Sequence, residues 1–460
     1  MASSQLEFNV ERKQPELLGP AEPTPYELKE LSDIDDQDGV RLFLTAIFIY
    51  PPPTKTSMPT RKTDPASDIR RGLSKAMVYY YPFAGRIREG PNRKLSVDCT
   101  GEGIVFCEAD ADIRLDGLGD VEVLRPPYPF IDKMTLGEGS AILGAPLVYV
   151  QVTRFACGGF IITGRFNHVM ADAPGFTMFM KAAADLARGA TVPMPLPVWE
   201  RERYRSRVPP RVTFAHHEYM HVDDPPPRPT SEPWSLHSAF FTKADVATLR
   251  AQLPADLRKA ATSFDIITAC MWRCRVSALQ YGPDEVVRLI VAVNSRTKFD
   301  PPLTGYYGNG LMLPAAVTEA GKLVGSDLGY AVELVREAKG KVTEEYVRSA
   351  ADFLVLNGRV HFVVSNTFLV SDLRRLIDLA NMDWGWGKAV SGGPVDVGEN
   401  VISFLATSKN SAGEEGAVVP FCLPDSALGR FTSEVKKLVC FRPLENAAAS
   451  NPDHGYMSRM

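Results

Sequence analysis

Two periods organise the apolar residues of this chain. An apolar run at 46–50, stopped by Pro51-Pro52-Pro53, predicts a strand. Ile69, Leu73, Ala76, Met77 and Tyr80 recur at helical spacing over 66–81, with Ser67 or Asp68 as the cap. The segment Tyr81-Pro82-Phe83-Ala84-Gly85-Arg86 breaks that helix. Residues 95–107 alternate and predict a hairpin about Gly101 to Gly103, 111–123 read as an acidic surface stretch, and 147–164 as buried strands. Asn167-His168 and Ala171-Asp172-Ala173-Pro174-Gly175 then form a turn that leads into a helix over 176–186. His168 is thereby placed on a strand-to-helix loop.

Beyond Gly189 the pattern changes. Prolines recur from 192 to 234, interleaved with the basic run RERYRSR at 201–207, which predicts a long, partly extended crossover with a soluble, charged face. After it come a strand at 238–242, a helix at 243–253 capped by Thr242, and a helix at 263–279 with Phe264, Ile267, Cys270, Met271 and Cys274 on one face. A strand at 287–293, a helix at 327–344, strands at 362–368, 401–407 and 417–423, and a helix at 425–439 complete the series. Strands alternate with helices on both sides of the crossover, and neither a GxGxxG turn nor a Walker loop is present. The expected fold class is therefore α/β, with mixed sheets flanked by helices in two domains, 1–190 and 236–460, joined by the linker 191–235. The ligand site is expected in the crevice between them.

Composition narrows what such a site serves. A chain of 460 residues is long enough for two cores, and 45% hydrophobic with 23% charged residues is ordinary for a globular protein. A formal net charge of -4 gives no broad basic face, so neither nucleic acid nor an anionic membrane is an expected partner. The 7 cysteines are an odd number, and MASSQLEFNVERKQ lacks a secretory apolar core, so a reducing compartment is expected. The apolar stretch 145–164 contains Gln151, Arg154 and glycines, which fits buried strands rather than a membrane span. The final Ser458-Arg459-Met460 has the small-basic-apolar chemistry of a peroxisomal address, so a peroxisomal import receptor is the expected partner, with the cytoplasm as the alternative location.

Histidine 168 can accept a proton from an acceptor group if it is neutral and its other ring nitrogen is fixed. The competing reading of the spacing His168-x-x-x-Asp172 is a satisfied buried histidine beside a capping aspartate. Cys270 and Cys274, four residues apart with no second pair, read as core packing. His216, His217 and His221 with Asp223 and Asp224 read as an exposed, solvated loop, so no metal is expected.

Several ordered landmarks carry a resemblance. His168-Val-Met-Ala-Asp172, Asp383-Trp384-Gly385-Trp386-Gly387, LSDID at 31–35, YYYPFAGRI at 79–87, and VNSR ahead of GYYGNG at 305–310 together resemble the BAHD family of plant acyl-CoA-dependent acyltransferases. Ala173 stands where that family usually has glycine, and Trp384 where it has phenylalanine. The resemblance implies two chloramphenicol-acetyltransferase-like domains, with a channel between them in which acyl-CoA, a co-substrate rather than a cofactor, meets a small alcohol or amine at His168. It implies direct transfer in a ternary complex, His168 as catalytic base, and Asp172 turned away to pair with Arg296. It also implies structural roles for Asp383, Gly385, Trp386 and Gly387. Ser263, at a helix start, would contact CoA or serve only as the N-cap. Phe48 and Tyr50 share one strand face, and one of them is expected at the acceptor. Phe48, where the family often has tyrosine, favours an apolar acceptor.

The branch it most resembles is that of benzyl alcohol O-benzoyltransferases, which implies benzoyl-CoA and benzyl alcohol giving benzyl benzoate. An O-acetyltransferase for a volatile alcohol, an N-acyltransferase and a catalytically silent ligand-binding relative are the alternatives. A site enclosed within one chain makes a monomer the expected state.

Overall fold

The strand expected at 46–50 is longer, Phe43–Tyr50, and splits its side chains by period two. Ala46, Phe48 and Tyr50 enter one apolar cluster, whereas Ile47 and Ile49 enter another on the opposite face. The computed structural model describes residues 7–52, 64–119, 124–137, 139, 141–219, 232–374, 382–395, 400–410 and 412–439. Ser458, Arg459, Met460, His221, Asp223 and Asp224 lie outside the described residues.

The first sheet runs, in spatial order, Val10–Arg12, Ile104–Ala111, Val148–Phe155, Phe160–Asn167, Phe43–Tyr50 and Ser391–Pro394. It is mixed, because Ile104–Ala111 and Val148–Phe155 are parallel while the other pairs along it are antiparallel. Helices Pro65–Tyr79 and Ala173–Ala187 cover one face, burying Ile69, Leu73, Met77, Phe176, Phe179 and Met180 against Phe48, Val150, Val152 and Ile162. The second sheet orders Trp234–Thr242, Glu415–Pro424, Ile402–Lys409, Thr367–Asp372, Val286–Val291 and Ala315–Glu319. Helices Ser263–Leu279, Leu328–Gly340 and Asp425–Leu438 pack on it. Ser391–Pro394 comes from the C-terminal half of the chain yet pairs with Phe43–Tyr50, Gly392 lying opposite Phe48. The two halves are therefore tied by backbone hydrogen bonds as well as by packing.

Several local expectations are corrected. The helix expected at 66–81 begins at Pro65, and its cap is Asp64, whose carboxylate accepts from Ser67 N, not Ser67 or Asp68. Proline at the first helical position needs no N–H partner, which fixes the start there. Residues 95–107 form no hairpin: Leu95–Asp98 pairs with Arg86–Glu89 and Leu28–Glu30, and Ile104–Ala111 joins the first sheet. The helix expected over 327–344 is two, Leu328–Gly340 and Glu344–Leu356, the second capped by Thr343. Ser263–Leu279 is buried nearly all round rather than on one face, and its N-cap is Thr262 in a capping box with Asp265, not Ser263. The strand expected at 362–368 is Thr367–Asp372.

The crossover is not a solvated face throughout. It carries the short helical turn Arg201–Tyr204, in which Arg201 and Tyr204 are fully buried. His216, expected in an exposed loop, is buried between Glu218 Oε1 at 2.7 Å and Ser349 Oγ at 2.9 Å. Buried polar groups are normally paired, and one of these partners, Ser349, comes from the helix Glu344–Leu356, distant in sequence. No helix among the described residues is long and apolar enough to cross a membrane.

Candidate active site

Asn167 ends the strand Phe160–Asn167, and Asp172 caps the helix Ala173–Ala187, with Pro174 in its first turn. The intervening turn is held at both ends: His168 N donates to Leu42 O at 2.8 Å and Met170 N to Asn167 O at 3.0 Å. Between Phe166 and Asp172, His168 is the one residue that is not buried. Its Nδ1 lies 3.0 Å from the carbonyl oxygen of Ala171. A carbonyl only accepts, so Nδ1 carries the hydrogen and a neutral ring keeps its lone pair on Nε2. Among the described residues no group hydrogen-bonds Nε2.

Burial pushes the His168 pKa below the ordinary 6.5, outweighing the opposing pull of Asp172 and Asp35. That outcome is reasonable because each carboxylate is already neutralised. Asp172 faces Arg296 at 2.7 Å, and Asp35 faces Arg201 at 2.6 Å, both pairs being buried. The fields of the paired charges largely cancel at the imidazole, and desolvation is what remains.

Asp172 is saturated. Its Oδ1 accepts from Gly175 N at 2.9 Å and Arg296 Nη2 at 2.7 Å, and its Oδ2 from Gly310 N at 2.9 Å and Arg296 Nη1 at 3.0 Å. Arg296 also donates to the carbonyls of Tyr306 at 2.8 Å and Gly308 at 2.6 Å. The carboxylate therefore holds the helix start, the arginine and the loop 305–310 together. It makes no hydrogen bond to the His168 ring, whose Nδ1 is taken by Ala171. A Cβ on Gly310 would lie 2.8 Å from Arg296 Nη1 and 2.9 Å from its Cζ. The guanidinium is locked by these bonds, so Gly310→Ala should destabilise the protein by about 1–3 kcal/mol, as overpacking does. A thermal unfolding midpoint equal to that of the parent would show that Arg296 has room to move.

Asp383 accepts from Gly385 N at 2.7 Å and Gly387 N at 3.1 Å, closing a turn in which the two glycines adopt φ of 93° and 98°. Trp386 Nε1 donates to Asp68 Oδ2 at 3.2 Å, and Trp384 Nε1 to Tyr50 Oη at 3.1 Å. Tyr50 Oη donates in turn to Met382 O at 3.0 Å. Tyr50, with both its hydroxyl bonds taken and 0% exposed, braces the segment 382–387. Phe48 lies beside it in the core, 1% exposed. Ser263 is half-buried in the first turn of its helix, accepting from Arg374 Nη1 at 3.2 Å.

Sequence reasoning missed a second set of contacts under the same turn. Asp35, at the end of LSDID, accepts from Asn309 N and Nδ2, both at 2.9 Å, and faces Arg201 Nη1. Asn309 Nδ2 also donates to His168 O at 2.8 Å, and Arg201 Nη2 to Met170 O at 2.7 Å. LSDID and GYYGNG were visible as landmarks, but nothing in their spacing shows that they meet. Among the described residues no three His, Cys, Asp or Glu side chains converge as a metal site.

The sequence matches the Transferase family over residues 8–438. It is 65% identical to piperine synthase of Piper nigrum, covering 100% of this chain and 99% of that protein. It is 48% identical to benzyl alcohol O-benzoyltransferase of Nicotiana tabacum, covering 97% of each, and 47% identical to that of Petunia hybrida, covering 95% of each. In structure it resembles vinorine synthase, with a TM-score of 0.71 at 22% identity over 94% of this chain and 98% of the other. F. graminearum TRI101 complexed with coenzyme A and deoxynivalenol superposes with a TM-score of 0.66 at 16% identity, covering 88% and 96%. At these identities the structures establish the fold.

Proposed function

Because the chain belongs to the Transferase family of BAHD acyl-CoA acyltransferases, we propose that it transfers an aromatic acyl group from its CoA thioester to an amine, with His168 as base. The fixed tautomer of His168 carries this reading: Nδ1 is held by Ala171 O, and Nε2 is left with its lone pair on a ring that desolvation keeps neutral. The amine nitrogen attacks the thioester carbonyl and the C–N bond forms. His168 Nε2 takes the proton from that nitrogen, the tetrahedral intermediate collapses with cleavage of the C–S bond, and the CoA thiolate recovers the proton. A thioester is activated enough for one base and a few oxyanion donors to suffice. Ser263 and Arg374, side by side at a helix start, are suited to the phosphate end of CoA.

Support for an amine acceptor comes from the 65% identical relative named for piperine, a compound that is itself an amide of a cyclic secondary amine. Ester formation from benzoyl-CoA and benzyl alcohol is the second reading, supported by the two relatives at 48% and 47% identity. Both acceptors use the same base. The purified protein, given benzoyl-CoA and longer arylalkenoyl-CoA donors with piperidine and benzyl alcohol in competition, should release amide faster than ester, measured by mass spectrometry. Ester alone would remove the amine reading, and no product from any donor would remove both.

A base works only when unprotonated, so kcat/KM should fall as pH drops through the His168 pKa. Desolvation lowers that pKa from 6.5, which places the acid limb below that value. Benzyl alcohol, which does not ionise there, is the acceptor with which to record the profile. An acid limb centred at or above about 6.5 would contradict the desolvated, neutral imidazole.

A further inference from the structure

The cluster around Asp35 joins four separate stretches of chain, and the acyl-transfer chemistry proposed above does not itself call for it. Asp35 Oδ1 gathers Arg201 Nη1, Asn309 N and Asn309 Nδ2, while Oδ2 accepts from Ser32 N at 3.0 Å and Ser32 Oγ at 2.6 Å. Two of the donors that converge on this carboxylate also reach the turn that carries His168. The carbonyl of His168 is held by Asn309, that of Met170 by Arg201, and that of Ala171 by the His168 ring itself. The 168–169 and 170–171 peptide planes, which follow the imidazole in the chain, are thus set by side chains fixed on one buried carboxylate. Burial of Asp35 opposes its ionisation, yet the Arg201 guanidinium and the Ser32 and Asn309 donors hold its pKa below the usual carboxylate value. It stays charged and keeps its donors.

We propose that Asn309 is a positioning residue for acyl transfer, fixing the His168 carbonyl through Asp35 so that Nε2 points at the acceptor. This rests on the reading of His168 as the base. The amide's two hydrogens suit the task, one going to Asp35 Oδ1 and one to His168 O, and the side chain is 4% exposed. Removing it frees the His168 peptide plane, and with it the direction in which the ring leaves the turn. Asp172 and Arg296 do not substitute for this contact, because they bind the helix start and the loop backbone rather than the His168 or Met170 carbonyls.

The test is steady-state kinetics of the full-length protein, with thermal unfolding recorded on each variant and all assays run where each is folded. Asn309→Ala should lose about 10- to 100-fold in kcat, the range that a misplacement of about 1 Å produces. Its KM for acyl-CoA should stay within about threefold, since binding does not require an aimed base. Ser349→Ala is the comparator: Ser349 Oγ accepts from Thr213 N at 2.9 Å and Phe214 N at 3.1 Å and faces His216, away from the proposed chemistry. It should lose thermal stability and keep kcat.

His168→Ala is run beside them. If it is as active as the parent, the base assignment fails whatever Asn309 does. If it is inactive while Asn309→Ala keeps its kcat, or loses activity only with its folded fraction as Ser349→Ala would, positioning by Asn309 is overturned.

Discussion

His168→Ala should lose roughly 10²- to 10⁴-fold in kcat, the usual worth of a general base, with little change in KM for acyl-CoA. The turn itself should survive. Its backbone is held by His168 N on Leu42 O, Met170 N on Asn167 O and Asn309 on His168 O, and none of these bonds uses the imidazole. The ring contributes one bond, to the buried Ala171 O, and His168 is itself half-buried, so removing the ring lets water into the space beside that carbonyl. An unfolding midpoint close to that of the parent is therefore expected alongside the kinetic loss. His168→Gln, which offers an amide but no proton acceptor of comparable basicity, should be nearly as slow. Activity within tenfold of the parent in the alanine variant would mean that the acceptor loses its proton elsewhere.

The part of this site legible in the sequence is the part that short motifs carry. The turn after Asn167 and the glycine turn that Asp383 closes depend on residues whose local conformation the sequence announces, whereas the Asp172–Arg296 pair spans 124 residues and was expected through the resemblance, not from spacing. Arg201 was misread for a physical reason. A basic run in a proline-rich stretch is normally solvated, and only the distant carboxylate of Asp35 makes burial of that guanidinium tolerable. His216 is the same case: Ser349 bonds its ring and Tyr346 donates to its neighbour Glu218, contacts that local spacing does not show. Ser391–Pro394, with the sequence SGGP, has no strand propensity at all. It pairs because the edge of Phe43–Tyr50 is available and because its Pro394 sits at the strand's last position. Pairwise tertiary choices of this kind are what a single sequence hides.

Asp172→Ala should be the most damaging change to stability, costing about 3–5 kcal/mol because it leaves the buried Arg296 guanidinium uncompensated. Loss of the helix cap from Gly175 N adds about 1 kcal/mol. Removing both partners, as in Asp172→Leu with Arg296→Met, should be less harmful than the single change, since no bare charge remains. Recovery should stop short of the parent, however. Gly175 N and Gly310 N both donate to Asp172, and an unsatisfied buried donor costs about 1–3 kcal/mol. Chemical denaturation of the parent and the two variants measures this order directly, and a double variant as unstable as Asp172→Ala would sink the ion-pair account. The same set decides whether Asp172 relays charge to the imidazole. With four donors on its two oxygens and His168 Nδ1 bound to Ala171, it has no path by which to do so. Variants that remain folded should therefore keep most of their kcat above the acid limb, while loss of the Asp172 charge moves that limb lower, because the carboxylate raises the His168 pKa. A relay would instead cut kcat at every pH while the fold held, so kcat of Asp172→Asn on the plateau above the limb separates a scaffold from a partner in proton transfer.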